Sequence, residues 1–319
     1  MKYSIGVDMG GTNTSIGLVD ENGNLIVKSN FKTTDYPVLE DFLTELVKHI
    51  CSASEKCENI DEIAGVGIGT PNGNYYKGTI ELAPNLPFKG VIQIKKILEI
   101  LLINHGLNLR VKVTNDANAA GMGEMMYGAA KGIKNFVMIT LGTGVGSAII
   151  VDGKMVYGSD GFAGEVGHTI IFPDGRSCGC GRKGCLETYS SATGIRRTAL
   201  ELLHSTSKPS LLRNLEEEEI NGKTISEAAG QNDALALECI DFTARILSIG
   251  LANTVAVTSP EKIVIAGGLS KAGELLLKPL RTYFEQNLYP VFRNKVSIEL
   301  SKLDDNNAAI LGAAALSFE

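Results

Sequence analysis

Residues 5–20 read IGVDMGGTNTSIGLVD: an apolar run from Ile5, a polar, glycine-rich turn between Asp8 and Thr14, and a second apolar run ending at Asp20. Short apolar runs bounded by glycine predict two strands joined as a hairpin. The shape returns at residues 137–152, VMITLGTGVGSAIIVD, which lies beneath the first without a gap, Ile5 over Val137 and Asp20 over Asp152. Strand, glycine turn, serine, strand and aspartate fall in the same order in both. A unit that recurs in this way predicts two related domains facing one another, with their glycine turns meeting across a cleft.

Between and beyond the repeats, strand and helix patterns alternate. Asp20-Glu-Asn-Gly23 suits a hairpin turn. Val38, Leu39, Phe42, Leu43, Leu46, Val47 and Ile50 recur at helical spacing, with Pro37 suited to the first turn. Ala64 to Ile68 reads as a strand running into the turn Thr70-Pro-Asn-Gly73. Val91 to Ile103 reads as a helix, and Leu109 to Val113 as a strand that delivers the chain to Asn115-Asp116 and a helix over Ala117 to Ala130. Helices are expected at Ala234 to Ala256 and Ala272 to Gln286, on either side of the strand and turn Lys262 to Gly268. An alanine-rich helix is expected over Asn306 to Ser317. Such alternation implies an α/β sheet. The run Glu216 to Glu219 reads as a solvated face, and Thr224 as a helix N-cap.

With 319 residues the chain has length for two domains of roughly 150 residues each. Its formal charge of -6 argues against a nucleic-acid partner, because no basic face is available to displace counterions. The first ten residues carry Asp8 and glycine where a secretory signal needs an unbroken apolar core. No later stretch approaches the roughly 18 apolar residues of a membrane span. The expectation is a cytoplasmic protein, in which a structural disulfide is out of place. Cys51, Cys57 and Cys239 then read as small core hydrophobes.

Phosphate chemistry is the natural use of the glycine turns. Gly222-Lys-Thr224 resembles the end of a P-loop, but Glu217 stands where its leading glycine belongs. Gly142-Thr-Gly-Val-Gly146 turns towards a strand and not a helix, so it is no dinucleotide fingerprint. Three turns remain: Asp8-Met-Gly-Gly-Thr12, Leu141-Gly-Thr-Gly-Val-Gly146 and Ala266-Gly-Gly-Leu-Ser270. Glycine lets backbone N–H groups converge on phosphate oxygens, Thr12 and Thr143 add hydroxyl donors, and Asp8 can hold a hydrated magnesium.

With "DMGGT" at 8–12, "NDANAAGMGE" at 115–124, "TLGTGVG" at 140–146, "EVGH" at 165–168 and "SCGCGRKGCLE" at 177–187, the chain resembles the ROK group of sugar kinases and repressors along essentially its whole length. The resemblance implies two actin-like (ribonuclease H-like) α/β domains with a nucleotide and sugar cleft between them. It implies a small domain over 1–115, joined by the C-terminal helix 304–319, and a larger domain over 116–303 that carries the cysteine loop. ATP phosphates fall to Asp8, Gly10, Gly11, Thr12 and Asn13 in the first turn and to Gly142, Thr143 and Gly144 in the second. Gly267 and Gly268 lie against the adenosine. Asp116 is the implied general base, since transfer to a sugar hydroxyl needs a carboxylate to take the proton as the bond forms. Without the resemblance it reads equally as a helix N-cap. Asn115, Asn72, Asn85, Glu165, His168 and Glu187 are implied around the sugar with Asp116. Asn13 replaces a lysine common in relatives, and Pro71-Asn72-Gly73 replaces Pro-Gly, where asparagine tolerates the same left-handed backbone.

The cysteine stretch admits a redox pair, reactive thiols, a bare loop or a metal site. No C-x-x-C is present. Cys178, Cys180 and Cys185 with His168 supply the Cys3His set of a closed structural zinc site. The cofactors expected are therefore structural zinc, and magnesium with ATP. The activity implied is ATP-dependent phosphorylation of a hexose at its 6-hydroxyl, glucose first, by a homo-oligomer (dimer or tetramer). An N-acetylhexosamine or fructose is the alternative acceptor. Repressor members carry a helix-turn-helix ahead of the first phosphate turn, which here already starts at Asp8, so the kinase is expected over the repressor.

Overall fold

A computed structural model describes residues 1–304 and 307–318. In chain order its main elements are β1 (Tyr3–Met9), β2 (Asn13–Asp20), β3 (Leu25–Lys32), α1 (Leu39–Ser54), β4 (Ile63–Gly69), α2 (Ile94–Asn104), β5 (Val111–Thr114) and α3 (Asp116–Tyr127). They continue with β6 (Phe136–Leu141), β7 (Val145–Val151), α4 (Ala192–Ser205), α5 (Ala234–Thr258), β8 (Lys262–Ala266), α6 (Glu274–Asn287), β9 (Ser297–Leu300) and α7 (Ala308–Ala315). Contacts divide the chain into two units. One comprises Met1–Gly132, Lys154–Ala163 and Lys302–Glu319; the other comprises Ile133–Gly153 and Gly164–Ser301.

In the first unit the strands run in the order β3-β2-β1-β4-β5. The hairpin β1–β2 is antiparallel, and β4 and β5 are added in parallel. β1 is buried along nearly its whole length because both faces are covered. On one face Ile5, Val7 and Met9 join Phe42, Leu46 and Ile50 of α1 and Leu98 and Leu102 of α2 in one core. On the other face α7 lies directly on the backbone. A Cβ on Gly6 would collide with the Ile310 carbonyl, and one on Gly67 with the Ala313 carbonyl. Small residues on both elements permit that approach, and Ser4 Oγ donates to Ala314 O at 2.8 Å. Gly123 of α3 backs onto Gly312 of α7 in the same way. This packing puts α3, with Asp116, in the first unit, and the contact boundary follows Gly132, not residue 115.

The second unit repeats the plan. Its strands run β7-β6-β8-β9, matching β2-β1-β4-β5 in order and in sense. Its core gathers Val137, Ile139 and Leu141 of β6 with Leu247, Leu251 and Val255 of the long helix α5. The duplicated unit read from residues 5–20 and 137–152 is thus a shared topology. The ungapped overlay needs one correction. Met9 pairs with Thr14 across Gly10 to Asn13, whereas Leu141 pairs with Val145 across Gly142 to Gly144. The second turn is one residue shorter, so the second strands are offset by one position.

Several smaller expectations also shift. Pro37 lies outside α1, whose N-cap is Val38. Val91–Ile92 form a short strand ahead of α2. Thr224 is not the N-cap of its helix. Asn221 caps it, accepting from the Lys223 and Thr224 amides, and Thr224 Oγ1 accepts from Asn221 N, which is a reciprocal capping box. Asn306 lies outside the described residues, and the helix is described from Ala308.

Candidate active site and metal loop

In the first unit, the first glycine turn is closed by Gly10 N donating to Asn13 O at 3.0 Å. Gly11 meets the loop at Asn85, whose carbonyl stands where a Cβ would project, so only glycine fits. Asn72 adopts the left-handed conformation, φ 53°. Its Nδ2 donates to Glu81 O at 2.9 Å, which commits that amide to holding the hairpin below the loop. Asn115 caps α3, its Oδ1 accepting from Ala117 N at 2.8 Å, and Asp116 Oδ1 accepts from the same amide at 2.8 Å. Capping is therefore met by Asn115, and the Asp116 carboxyl is redundant for it.

Electrostatics set Asp8 and Asp116 apart from an ordinary carboxyl. Asp116 reaches solvent, yet protein crowds its carboxyl, and this desolvation holds its pKa above the ordinary carboxylate range against its amide hydrogen bonds. Burial first, and the Asp116 charge second, push Asp8 up to about 6, with Lys28 acting in the opposite sense. Two neighbouring carboxyls that resist ionising together suit one proton acceptor and one cation holder.

In the second unit, Gly142 N donates to Gly144 O at 3.0 Å to close the second turn. Glu187 opens a one-turn helix, Glu187–Ser190, and points back at that turn. A Cβ on Gly144 would come within 2.6 Å of Glu187 Oε2, and Val145 N donates to the same oxygen at 3.4 Å. Glu165 and His168 flank the 3-10 turn Val166–His168, with Glu165 exposed and His168 half-buried. In the third turn Gly267 has φ 92° against the Leu141 backbone, and nothing stands within 4 Å of a Cβ on Gly268.

His168, Cys178, Cys180 and Cys185 bring one donor atom each within 4.8 Å of one another. Cys180 Sγ and Cys185 Sγ are 3.7 Å apart, and Cys178 Sγ lies 3.7 Å from His168 Nδ1. A tetrahedral zinc with Zn–S of about 2.3 Å has S···S edges of about 3.8 Å, so the donors fit that ion in kind, number and spacing. Glu187 Oε1 lies 3.0 Å from Cys178 Sγ and 3.6 Å from His168 Nδ1, which ties the metal loop to a candidate sugar ligand.

Residues 4–319 match the ROK family model. The chain belongs to the ROK family. A glucokinase of Halalkalibacterium halodurans is 35% identical over 99% of this chain and 94% of its own. A xylose repressor of Caldicellulosiruptor bescii is 32% identical over 98% of this chain and 77% of its own. A ROK family glucokinase from Streptomyces griseus, solved in complex with glucose and AMPPNP, matches with a TM-score of 0.80 at 34% identity, covering 98% of both chains. Both units of this ROK chain have the expected actin-like α/β fold.

Two positioning groups lie outside every motif read from the sequence. Arg176, buried two residues before Cys178, donates to Thr188 O at 2.9 Å and Gly194 O at 3.2 Å, and sits 4.6 Å over the Tyr189 ring. It staples the start of the cysteine loop of this ROK chain to the residue after Glu187. Thr33, fully buried, bonds to the first glycine turn from the end of β3. Neither has a motif to announce it, since each acts on backbone carbonyls that are distant in sequence.

Proposed function

We propose that the chain transfers the γ-phosphoryl group of ATP to the 6-hydroxyl of a hexose, with glucose as its best acceptor. The observation that carries this reading is Asp116: a carboxyl at a strand-to-helix junction, redundant as a cap and held above its ordinary pKa. Asp116 accepts the hydroxyl proton as the oxygen attacks phosphorus. Asn115, Asn72 and Asn85 from the first unit, with Glu165, His168 and Glu187 from the second, orient the sugar through its other hydroxyls. The N–H groups of Gly11 to Asn13 and of Thr143 and Gly144 receive the phosphate oxygens, and Gly267 and Gly268 leave room for the nucleoside. Magnesium held by Asp8 supplies charge neutralisation for the phosphates. Zinc on His168, Cys178, Cys180 and Cys185 fixes the loop that ends at Glu187.

The two glucokinases named above support a kinase, and a glucokinase in particular. An ADP-coupled assay across glucose, mannose, fructose, N-acetylglucosamine and N-acetylmannosamine should show glucose with the highest kcat/KM. Absence of turnover with all five contradicts the proposal. The same reading makes the protein a cytoplasmic homodimer or homotetramer that binds no nucleic acid. An acidic balance of -6 supports the last point, and among the described residues no helix is long and apolar enough to cross a membrane.

A general base works only when unprotonated, and Asp116 is shifted upward. As pH falls, kcat/KM should therefore fail above the pH of an ordinary aspartate, whose pKa is about 3.9. A profile that stays flat down to that value would show that no carboxyl of raised pKa acts in the step.

A further inference from the structure

Both glycine turns are gripped from below by a threonine that belongs to neither, and the two grips have the same stereochemical result. In the first turn Thr33 N donates to Thr12 O at 2.9 Å, and Thr33 Oγ1 donates to Gly10 O at 2.8 Å. Thr33 has a single hydroxyl proton, and the Gly10 carbonyl takes it. The 2.8 Å contact between Thr14 Oγ1 and Thr33 Oγ1 must then be donated by Thr14, which makes a directed chain from Thr14 through Thr33 to Gly10. Thr14 and Thr33 are both fully buried, so no water can replace a lost partner. In the second turn Ala192 N donates to Gly142 O at 2.8 Å, and Thr193 Oγ1 donates to Thr143 O at 2.8 Å.

A trans peptide unit carries its C=O and its N–H on opposite sides. Fixing Gly10 O and Thr12 O towards Thr33 therefore turns the N–H groups of Gly11 and Asn13 the other way. Fixing Gly142 O and Thr143 O does the same for the N–H groups of Thr143 and Gly144. Amides oriented before the ligand arrives cost no reorganisation when they meet an anion. We propose that Thr33 and Thr193 are positioning residues that pre-orient the phosphate-binding amides of the two turns, Thr33 for Gly11 and Asn13, and Thr193 for Gly144 beside the Ala192 amide that sets Thr143. The proposal rests on the kinase reading, in which these turns receive the ATP phosphates.

Calorimetry with ADP and, separately, with adenosine tests it on the full chain. Thr33→Val keeps the shape and the amide but loses the hydroxyl donor, and should weaken ADP by roughly tenfold, the worth of one directed hydrogen bond. Adenosine, which has no phosphate, should bind as to wild type. Thr33→Ser restores the hydroxyl and should return ADP affinity to within about twofold. Thr193→Val, at an exposed position that the core does not need, should repeat the ADP-selective loss in a protein of unchanged melting temperature. If ADP and adenosine weaken together, or if ADP affinity survives in both valine variants, Thr33 and Thr193 are only structural and the proposal fails alone. If the wild-type chain binds no ADP, the kinase reading fails and takes the proposal with it.

Discussion

Asp116→Asn should lower kcat by roughly 10²–10⁴-fold, the usual worth of a positioned general base, while sugar affinity changes little. The asparagine keeps the volume and can still accept a hydrogen bond, but it cannot take the proton of the attacking hydroxyl. Folding should tolerate the change. Asn115 already caps α3 through the Ala117 amide, so no buried N–H loses its partner. Removing the charge also relieves Asp8, since Asp116 is one of the two causes that push Asp8 up to about 6. Asp116→Ala should go further, removing turnover while retaining sugar binding. Turnover by single-turnover kinetics and affinity by calorimetry separate the two effects. A variant with near-normal turnover would place the base elsewhere.

The second large effect concerns the metal loop. Cys180→Ser, or prolonged chelation, should remove a single bound zinc and weaken sugar binding by on the order of 10- to 100-fold, as loss of support around a metal centre commonly does. Cys180 itself is exposed, but in the proposed site it would share an ion with Cys178 and His168, and both of those lie against Glu187 Oε1. Without the metal, burial raises the Cys178 thiol and leaves it a neutral neighbour of Glu187. Sugar affinity should fall without vanishing, because Arg176 still holds Thr188 O and so keeps the helix that Glu187 opens. Zinc content by mass spectrometry and sugar titration on the same preparation check this. A zinc-free protein with wild-type sugar affinity would reduce the loop to a local staple.

Most of the fold was legible because it is written twice. Residues 5–20 and 137–152 carry the same strand-turn-strand order, and the structure gives them the same sheet positions. The one-residue difference between the turns was hidden, because glycine and threonine fill both without marking where pairing resumes. The assignment of α3 to the first unit was also hidden, since it depends on α7 returning from the far end of the chain. Gly6 and Gly67, inside apolar strands, were the available signal: glycine there marks a close backbone approach. Side chains in motifs, such as Asp116 and Cys178, could be named from their neighbours. Thr33 and Arg176 could not, because their partners are carbonyls whose positions exist only once the chain is folded.

The most direct test of the central claim is the identity of the product. Incubating the protein with ATP, magnesium and uniformly ¹³C-labelled glucose, and following ³¹P and ¹³C resonances, reads which atom receives phosphorus. The account predicts one new phosphomonoester coupled to C6, formed in step with ADP. ADP appearing with inorganic phosphate alone, or phosphorus on any other carbon, would contradict it.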